Sequence, residues 1–167
     1  MKLFLSLAQV FVSATLFAQI PGEDTFIHNE SAAGALQGIL IPNPDGYLTL
    51  KGDFHIHTVF SDGDVWPSFR VEEARRTGLD IIAITDHIEY RPNAGLFCDK
   101  VDHNTSYEIA RKSAGKDIIV VPGTEITRSK PFGHMNALFI SDANKADTEN
   151  ELDALDAMLE QGAYILW

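Results

Sequence analysis

"GLDIIAITDH", residues 78–87, is the stretch on which the fold turns. Gly78 closes one segment, "DIIAIT" at 80–85 is an unbroken apolar run rich in isoleucine, and Asp86 and His87 stand at its end. A short apolar run without polar alternation marks a strand covered on both faces, as in a parallel sheet flanked by helices. Upstream, "WPSFRVEEARRTG" at 66–78 has Pro67 near a helix start, Arg75 and Arg76 in its last turn and Gly78 as its stop. Before it, "YLTLKGDFHIHT" at 47–58 reads as extended chain whose alternation is interrupted by Gly52.

Downstream the same rhythm continues. "TSYE" at 105–108 has the capping-box pattern, opening a helix that ends near Gly115. "DIIVVPG" at 117–123 is a second buried strand, with Glu125 placed at its end, and "HMNALFI" at 134–140 is another strand. "TENE" at 148–151 repeats the capping box, Leu152, Leu155 and Leu159 follow at helical spacing, and "AYILW" at 163–167 is a further apolar strand. Strands separated by helices of roughly 10–15 residues predict a mostly parallel α/β fold. The pattern alone does not separate an open sheet from a barrel.

The termini and composition bound the rest. "MKLFLSLAQVFVSATLFA", residues 1–18, has one lysine, an apolar run and a small-residue end, which is the plan of a secretory signal peptide. That run of about 16 residues is short for a membrane span, so export is expected, with no stable span after cleavage. Residues 19–46 read as a lead-in, closed by the turn signal "NPDG" at 43–46. The single cysteine, Cys98, leaves no intramolecular disulfide. With 24 acidic and 13 basic residues, the formal charge of −11 argues against a nucleic-acid surface, which needs cations to neutralise phosphates.

Six histidines are present, and four sit where predicted strands begin or end: His55, His57, His87 and His134. Alternation along a strand puts Asp53, His55 and His57 on one face, so two imidazoles can reach one ion. Asp62 in "SDG", His87 with Asp86 in "TDH", and Glu125 in "PGTE" lie at the ends of successive strands. Such ends converge on one rim, where α/β sites are built. The mixture of N and O donors suits Zn, Mn or Fe. Arg128 and Lys130 are candidates to hold a substrate phosphate, with Arg suited to bidentate contact. Asp86 is a candidate to orient His87 or a bound water, or else a strand-end cap. Asn136, Arg91, Trp66 and Tyr90 are weaker candidates; His103 is expected on the surface or in support of a ligand, and His28 is incidental.

"DFHIHTVFSDG", "GLDIIAITDH" and "VPGTEI" followed by "GHMNA" resemble the first motif regions of the PHP (polymerase and histidinol phosphatase) domain. Within it, "SDGDVWPSFRVEEA", "HIEY" and "EITRSKPFGHMNALFI" look most like the secreted phosphodiesterase branch of the Sb-PDE type. The resemblance implies a distorted (β/α)7 barrel with two or three divalent ions on its C-terminal rim. It implies that His55 and His57 bind the first ion, that Glu125 bridges to a second held by His134, and that Asp62 and His87 serve a third. Some relatives have histidine one position after Asp62, where Gly63 stands here. The family's later histidine and Asp-x-His pair have no counterpart, so residues 47–167 are expected to be the N-terminal portion of the domain, inactive alone. The activity implied is hydrolysis of a small phosphoester, a diester first. A histidinol-phosphate-type monoesterase and a non-catalytic metal-binding fragment are the alternatives.

Overall fold

The computed structural model describes residues 41–97 and 101–167. Residues 1–18, read above as a signal peptide, the lead-in up to residue 40, with His28, and Cys98 fall outside the described residues. Five strands form one sheet in chain order, β1 (Gly52–Ile56), β2 (Ile81–Ile84), β3 (Ile119–Thr127), β4 (His134–Leu138) and β5 (Tyr164–Leu166). Between them lie α1 (Pro67–Thr77), a short α2 (Ala94–Phe97), α3 (Thr105–Ala114), a 3-10 turn (Ala143–Ala146) and α4 (Glu151–Leu159).

The first three strands are parallel, as the apolar runs predict, but β4 runs antiparallel to β3 and β5 antiparallel to β4. The sheet is therefore mixed, and the reason lies in β3. Its first half, Ile119–Pro122, pairs with β2, and its second half, Gly123–Thr127, pairs with β4. Pro122 has no N–H to give and Gly123 has no side chain, so "VPG" reads as a strand end. In the fold it is a change of partner: the Pro122 carbonyl accepts from Phe139 N at 2.8 Å. A Cβ on Gly123 would lie 3.0 Å from Ala137 O and 3.1 Å from Leu138 Cδ2, so glycine lets β4 approach. Glu125 consequently lies inside a strand, not at its end.

Two helical layers cover the outer face. Val71 and Ala74 of α1 and Ala110 and Ala114 of α3 pack on Ile82 and Ile84 of β2. Ala154 and Met158 of α4 pack with Ile126, Met135 and Ala137. The inner face of the curl is closed by Ala83, Val121 and Leu138 with Phe54. Together these form part of a (β/α) barrel wall, helices outside and strand ends on one rim.

Helix boundaries follow some sequence signals and not others. α1 starts with Pro67 at its first turn and ends at Gly78 in the left-handed conformation, φ 73°. Neither capping box forms. Asn104 and not Thr105 precedes α3, and its amide instead donates to Asp142 Oδ1 and accepts from Ala143 N. At α4, Asn150 is the cap, accepting from Leu152 N and Asp153 N, while Thr148 bonds the Asn150 carbonyl. Of the leucine stripe only Leu155 packs against the core: Leu152 and Leu159 are exposed, and small Ala154 and flexible Met158 fill the contact with the sheet. The turn before β1 is present, Tyr47 N donating to Pro44 O at 3.0 Å, but residues 47–50 are not strand. Among the described residues no helix is long and apolar enough to cross a membrane.

Candidate metal centre

A defect in pairing builds the first part of the site. Asp53 pairs with Ile82 and Ile56 with Ile84, so Phe54 and His55 together face the single Ala83. This is a β-bulge, which breaks the two-residue alternation and re-aims a side chain. Phe54 packs inside the curl with Ala83 and Leu138, whereas Ile56, two residues on, packs outside among the α1 and α3 residues. The expectation that Asp53, His55 and His57 share one face is corrected accordingly. His55 and His57 converge, while the Asp53 carboxylate folds back to accept from His55 N at 3.1 Å.

His55 Nε2 and His57 Nε2 lie 2.8 Å apart, and each is 2.9 Å from Glu125 Oε2. A triangle about 3 Å on a side is what donors at bonds of about 2.0–2.1 Å subtend around one ion at angles near 90°. The other carboxylate oxygen, Glu125 Oε1, lies 2.5 Å from His134 Nδ1. On the far side of the His57 ring, Nδ1 is 3.0 Å from Asp62 Oδ1, and Asp62 Oδ2 is 3.4 Å from His87 Nε2. Three sets could therefore hold ions: His55, His57 and Glu125; His57, Asp62 and His87; and His87, Glu125 and His134. All are N/O sets that fit Zn, Mn or Fe.

Glu125 is 1% exposed. Burial pushes its carboxyl up, but hydrogen bonds from His57, His55 and His134 and the charge of His87 outweigh it, holding the pKa at about 2. The His57 imidazole is pulled the other way. Burial lowers it, yet Glu125, Asp62 and Asp86 leave it above its ordinary value. Protons therefore compete with metal for His57.

Asp86 takes the role of the cap. Its buried carboxylate accepts from Thr58 N at 2.6 Å, Thr58 Oγ1 at 2.7 Å and Ser61 Oγ at 2.6 Å. Those bonds fix the turn that carries Asp62, and the sequence reading missed Thr58 and Ser61. Their signal is a pair of hydroxyl residues spaced through "HTVFSD" beside a predicted ligand. Arg70 of α1, also missed, donates to the His57 carbonyl at 2.9 Å. Gly63 sits hard against the backbone of the preceding turn: a Cβ there would lie 2.7 Å from His57 C and O and 2.8 Å from Thr58 N. No side chain fits at 63 on this backbone, whereas the neighbouring Asp62 carboxylate lies 3.0 Å from His57 Nδ1. Gly63→Ala is expected to cost about 1–3 kcal/mol in overpacking and to weaken metal binding, measured by denaturant unfolding and by metal titration.

Arg128 is not aimed at the donor sets. Its Nε lies 3.0 Å from Glu89 Oε1 and its terminal nitrogens donate to the Thr148 carbonyl at 2.6 Å and the Glu149 carbonyl at 3.4 Å. The guanidinium is engaged with Glu89 and with loop carbonyls. Lys130 is exposed. Arg91 is likewise committed, donating to Phe60 O at 2.8 Å and to His103 Nδ1 at 2.8 Å. Tyr90 stands edge-on to His87, ring centroids 6.0 Å apart, and Trp66 packs at 5.2 Å on Phe60. Asn136 is 8% exposed and pairs with Glu125 across β3 and β4.

His103 sits outside the donor sets, its Nε2 3.4 Å from Asp147 Oδ2. Burial first, then Arg91, hold its imidazole below the ordinary value against the pull of Asp147 and Asp102. The unfolded chain thus takes this proton more readily than the folded one. The contribution to stability is whole above about pH 6.5 and is lost as pH falls through the depressed folded value. His103→Gln should flatten the fall of the stability curve below about pH 6.5; an unchanged slope in pH-dependent melts would contradict this.

Residues 53–159 match the PHP domain family over most of the described fold. The chain belongs to the PHP domain family. A PHP-domain relative of known structure is a two-domain protein of Bacteroides vulgatus containing a predicted PHP-like metal-dependent phosphoesterase. It is 48% identical, with a TM-score of 0.72, over 77% of this chain and 37% of that one. An uncharacterized protein of Methanocaldococcus jannaschii is 37% identical over 82 residues, 49% of this chain and 36% of the relative. This PHP chain thus spans about a third of the length of either protein.

Proposed function

We propose that the chain carries the first part of the active site of a metal-dependent phosphoesterase, acting on a small phosphodiester. The observation that carries this reading is Glu125, a buried carboxylate whose two oxygens face different imidazoles, His55 and His57 on one side and His134 on the other. A carboxylate so placed can be shared between two ions. Asp62 and His87 offer a further pair of donors. Divalent ions at such a site lower the pKa of water toward neutrality and neutralise phosphoryl oxygens.

The residues have separate tasks. His55 and His57 present Nε2 to Glu125, whose carboxyl, held at about 2, is charged at neutral pH. Asp86 and Arg70 together hold the peptide that follows His57, Asp86 accepting from the Thr58 N–H and Arg70 donating to the His57 carbonyl. Lys130 is proposed as a contact for the ester phosphate from the loop after β3. The proposal also includes export by residues 1–18, supported by their charge and apolar pattern.

The test is metal content and hydrolysis of a phosphate diester and a monoester, with and without chelator, in the protein and in His55→Ala. Chelator-sensitive diester cleavage that His55→Ala loses while remaining folded is the expected result. Preference for the monoester would favour the monoesterase alternative, and full activity in His55→Ala would sink the mechanism.

A further inference from the structure

His87 stands between two donor sets. Its Nε2 lies 3.4 Å from Asp62 Oδ2, on the side of His57. Its Nδ1 is 3.6 Å from Glu125 Oε2, the carboxylate shared with His134. A neutral imidazole has one lone pair, so it can serve one set or the other and not both. The nearest atom to Nδ1 is neither carboxylate: it is Thr127 Oγ1, at 2.5 Å.

We propose that Thr127 is a positioning residue that commits His87 to the Asp62 set and withholds it from the Glu125 and His134 set. This rests on the metal-dependent reading above. With Nδ1–H donated to Thr127, the lone pair is on Nε2 and faces Asp62. A second partner that fixes the tautomer of a ligating histidine is a general feature of metal sites.

The surroundings hold Thr127 firmly in that role. Its N–H donates to Glu89 Oε2 at 2.7 Å, and Glu89 Oε1 lies 3.0 Å from Arg128 Nε. Arg128 in turn binds the Thr148 carbonyl ahead of α4. Thr127 pairs with His134 across the β3 and β4 ladder, so the hydroxyl is set at the rim by sheet register. Its β-branched side chain has few rotamers to explore. His87 is 6% exposed, leaving little room for water to replace the hydroxyl. Arg128, which the sequence suggests as a substrate contact, thereby acts through Glu89 and Thr127 on a ligand.

The experiment is calorimetric titration with Zn(II) alone on the chain, on Thr127→Val and on Thr127→Ser. Valine keeps the shape without the oxygen, and serine restores it. The expected result is one class of site weakened about 10–100-fold in the valine variant, the other unchanged, and recovery with serine. Valine binding like the wild type, or serine no better than valine, would overturn the assignment. A measurement that needs no variant is nuclear magnetic resonance of Cd(II)-loaded wild type with isotope-labelled histidine. His87 should couple to the metal through Nε2 and keep a proton on Nδ1; coupling through Nδ1 overturns the inference. A wild type that binds no divalent ion removes the functional reading and the inference with it. One that binds ions while the valine variant matches it removes only the inference.

Discussion

Glu125→Ala should lose divalent-ion binding at the two donor sets that contain it, by more than the roughly 10–100-fold that loss of a partner one layer out produces. Two of the three donor sets contain Glu125, and no other carboxylate reaches His55 or His134 among the described residues. Hydrolysis should fall with the metal, and titration calorimetry alongside a chelator-controlled assay reads both. The metal-free protein should also respond. Glu125 titrates at about 2 when folded against an ordinary 4.5, a difference worth roughly 3 kcal/mol at neutral pH. Because the folded value is depressed, that stability is present above about pH 4.5 and lost as pH falls through about 2. Denaturant unfolding in chelator should show wild type and Glu125→Gln diverging most at neutral pH and approaching each other in acid. Curves that stay equally separated would mean that the histidines do not hold the carboxylate.

The second large effect is expected at Asp86. Its carboxylate takes three donors in a site 7% exposed. Removing it leaves the buried Thr58 N–H and hydroxyl without their acceptor, and leaves the Ser61 hydroxyl only the His57 ring at 3.3 Å. Hydrogen bonds to a charged group contribute about 1.5–3 kcal/mol each, and not additively, so Asp86→Ala should cost roughly 3–5 kcal/mol. Asp86→Asn, which keeps the shape and one acceptor oxygen, should recover part of this. Since the same turn presents Asp62, both variants should weaken ions held with His87 more than those held by His55. Thermal melts give the first effect and metal titration the second. A melt unchanged in Asp86→Ala would mean that the turn is held by other contacts.

The strands of the first half were legible because their covering is symmetrical. Isoleucine-rich β2 is packed by helices outside and by Ala83's neighbours inside, and its sequence has no polar phase to misread. The reversal at β4 was not legible, because direction depends on what β3 pairs with after Pro122, and no local residue encodes a partner. The capping boxes failed for a related reason. Asn104 and Asn150 each compete for the position with side chains that make two bonds, and tertiary contacts to Asp142 and Ala143 decide the first case. That His55, His57, Asp62, His87, Glu125 and His134 lie close together was legible from the convergence of strand ends in a sheet, although Glu125 sits within β3 and His134 on an antiparallel strand. Their supports, Thr58, Ser61, Thr127 and Glu89, are common polar residues that only distance singles out.

The bulge in β1 has a consequence for how such a rim can change. Chain length between Asp53 and Ile56 exceeds that of β2 by one residue, and the surplus is what separates the phase of the buried residues from the phase of the imidazoles. Deleting Phe54 would repair the ladder and improve the pairing of two strands. It would also put His55 out of step with Glu125, since one residue inverts every side chain that follows. Strand regularity and donor geometry thus pull against each other here, and a chain optimised for the sheet alone would drift away from the site. Length at this point is as much a part of the chemistry as the histidines are.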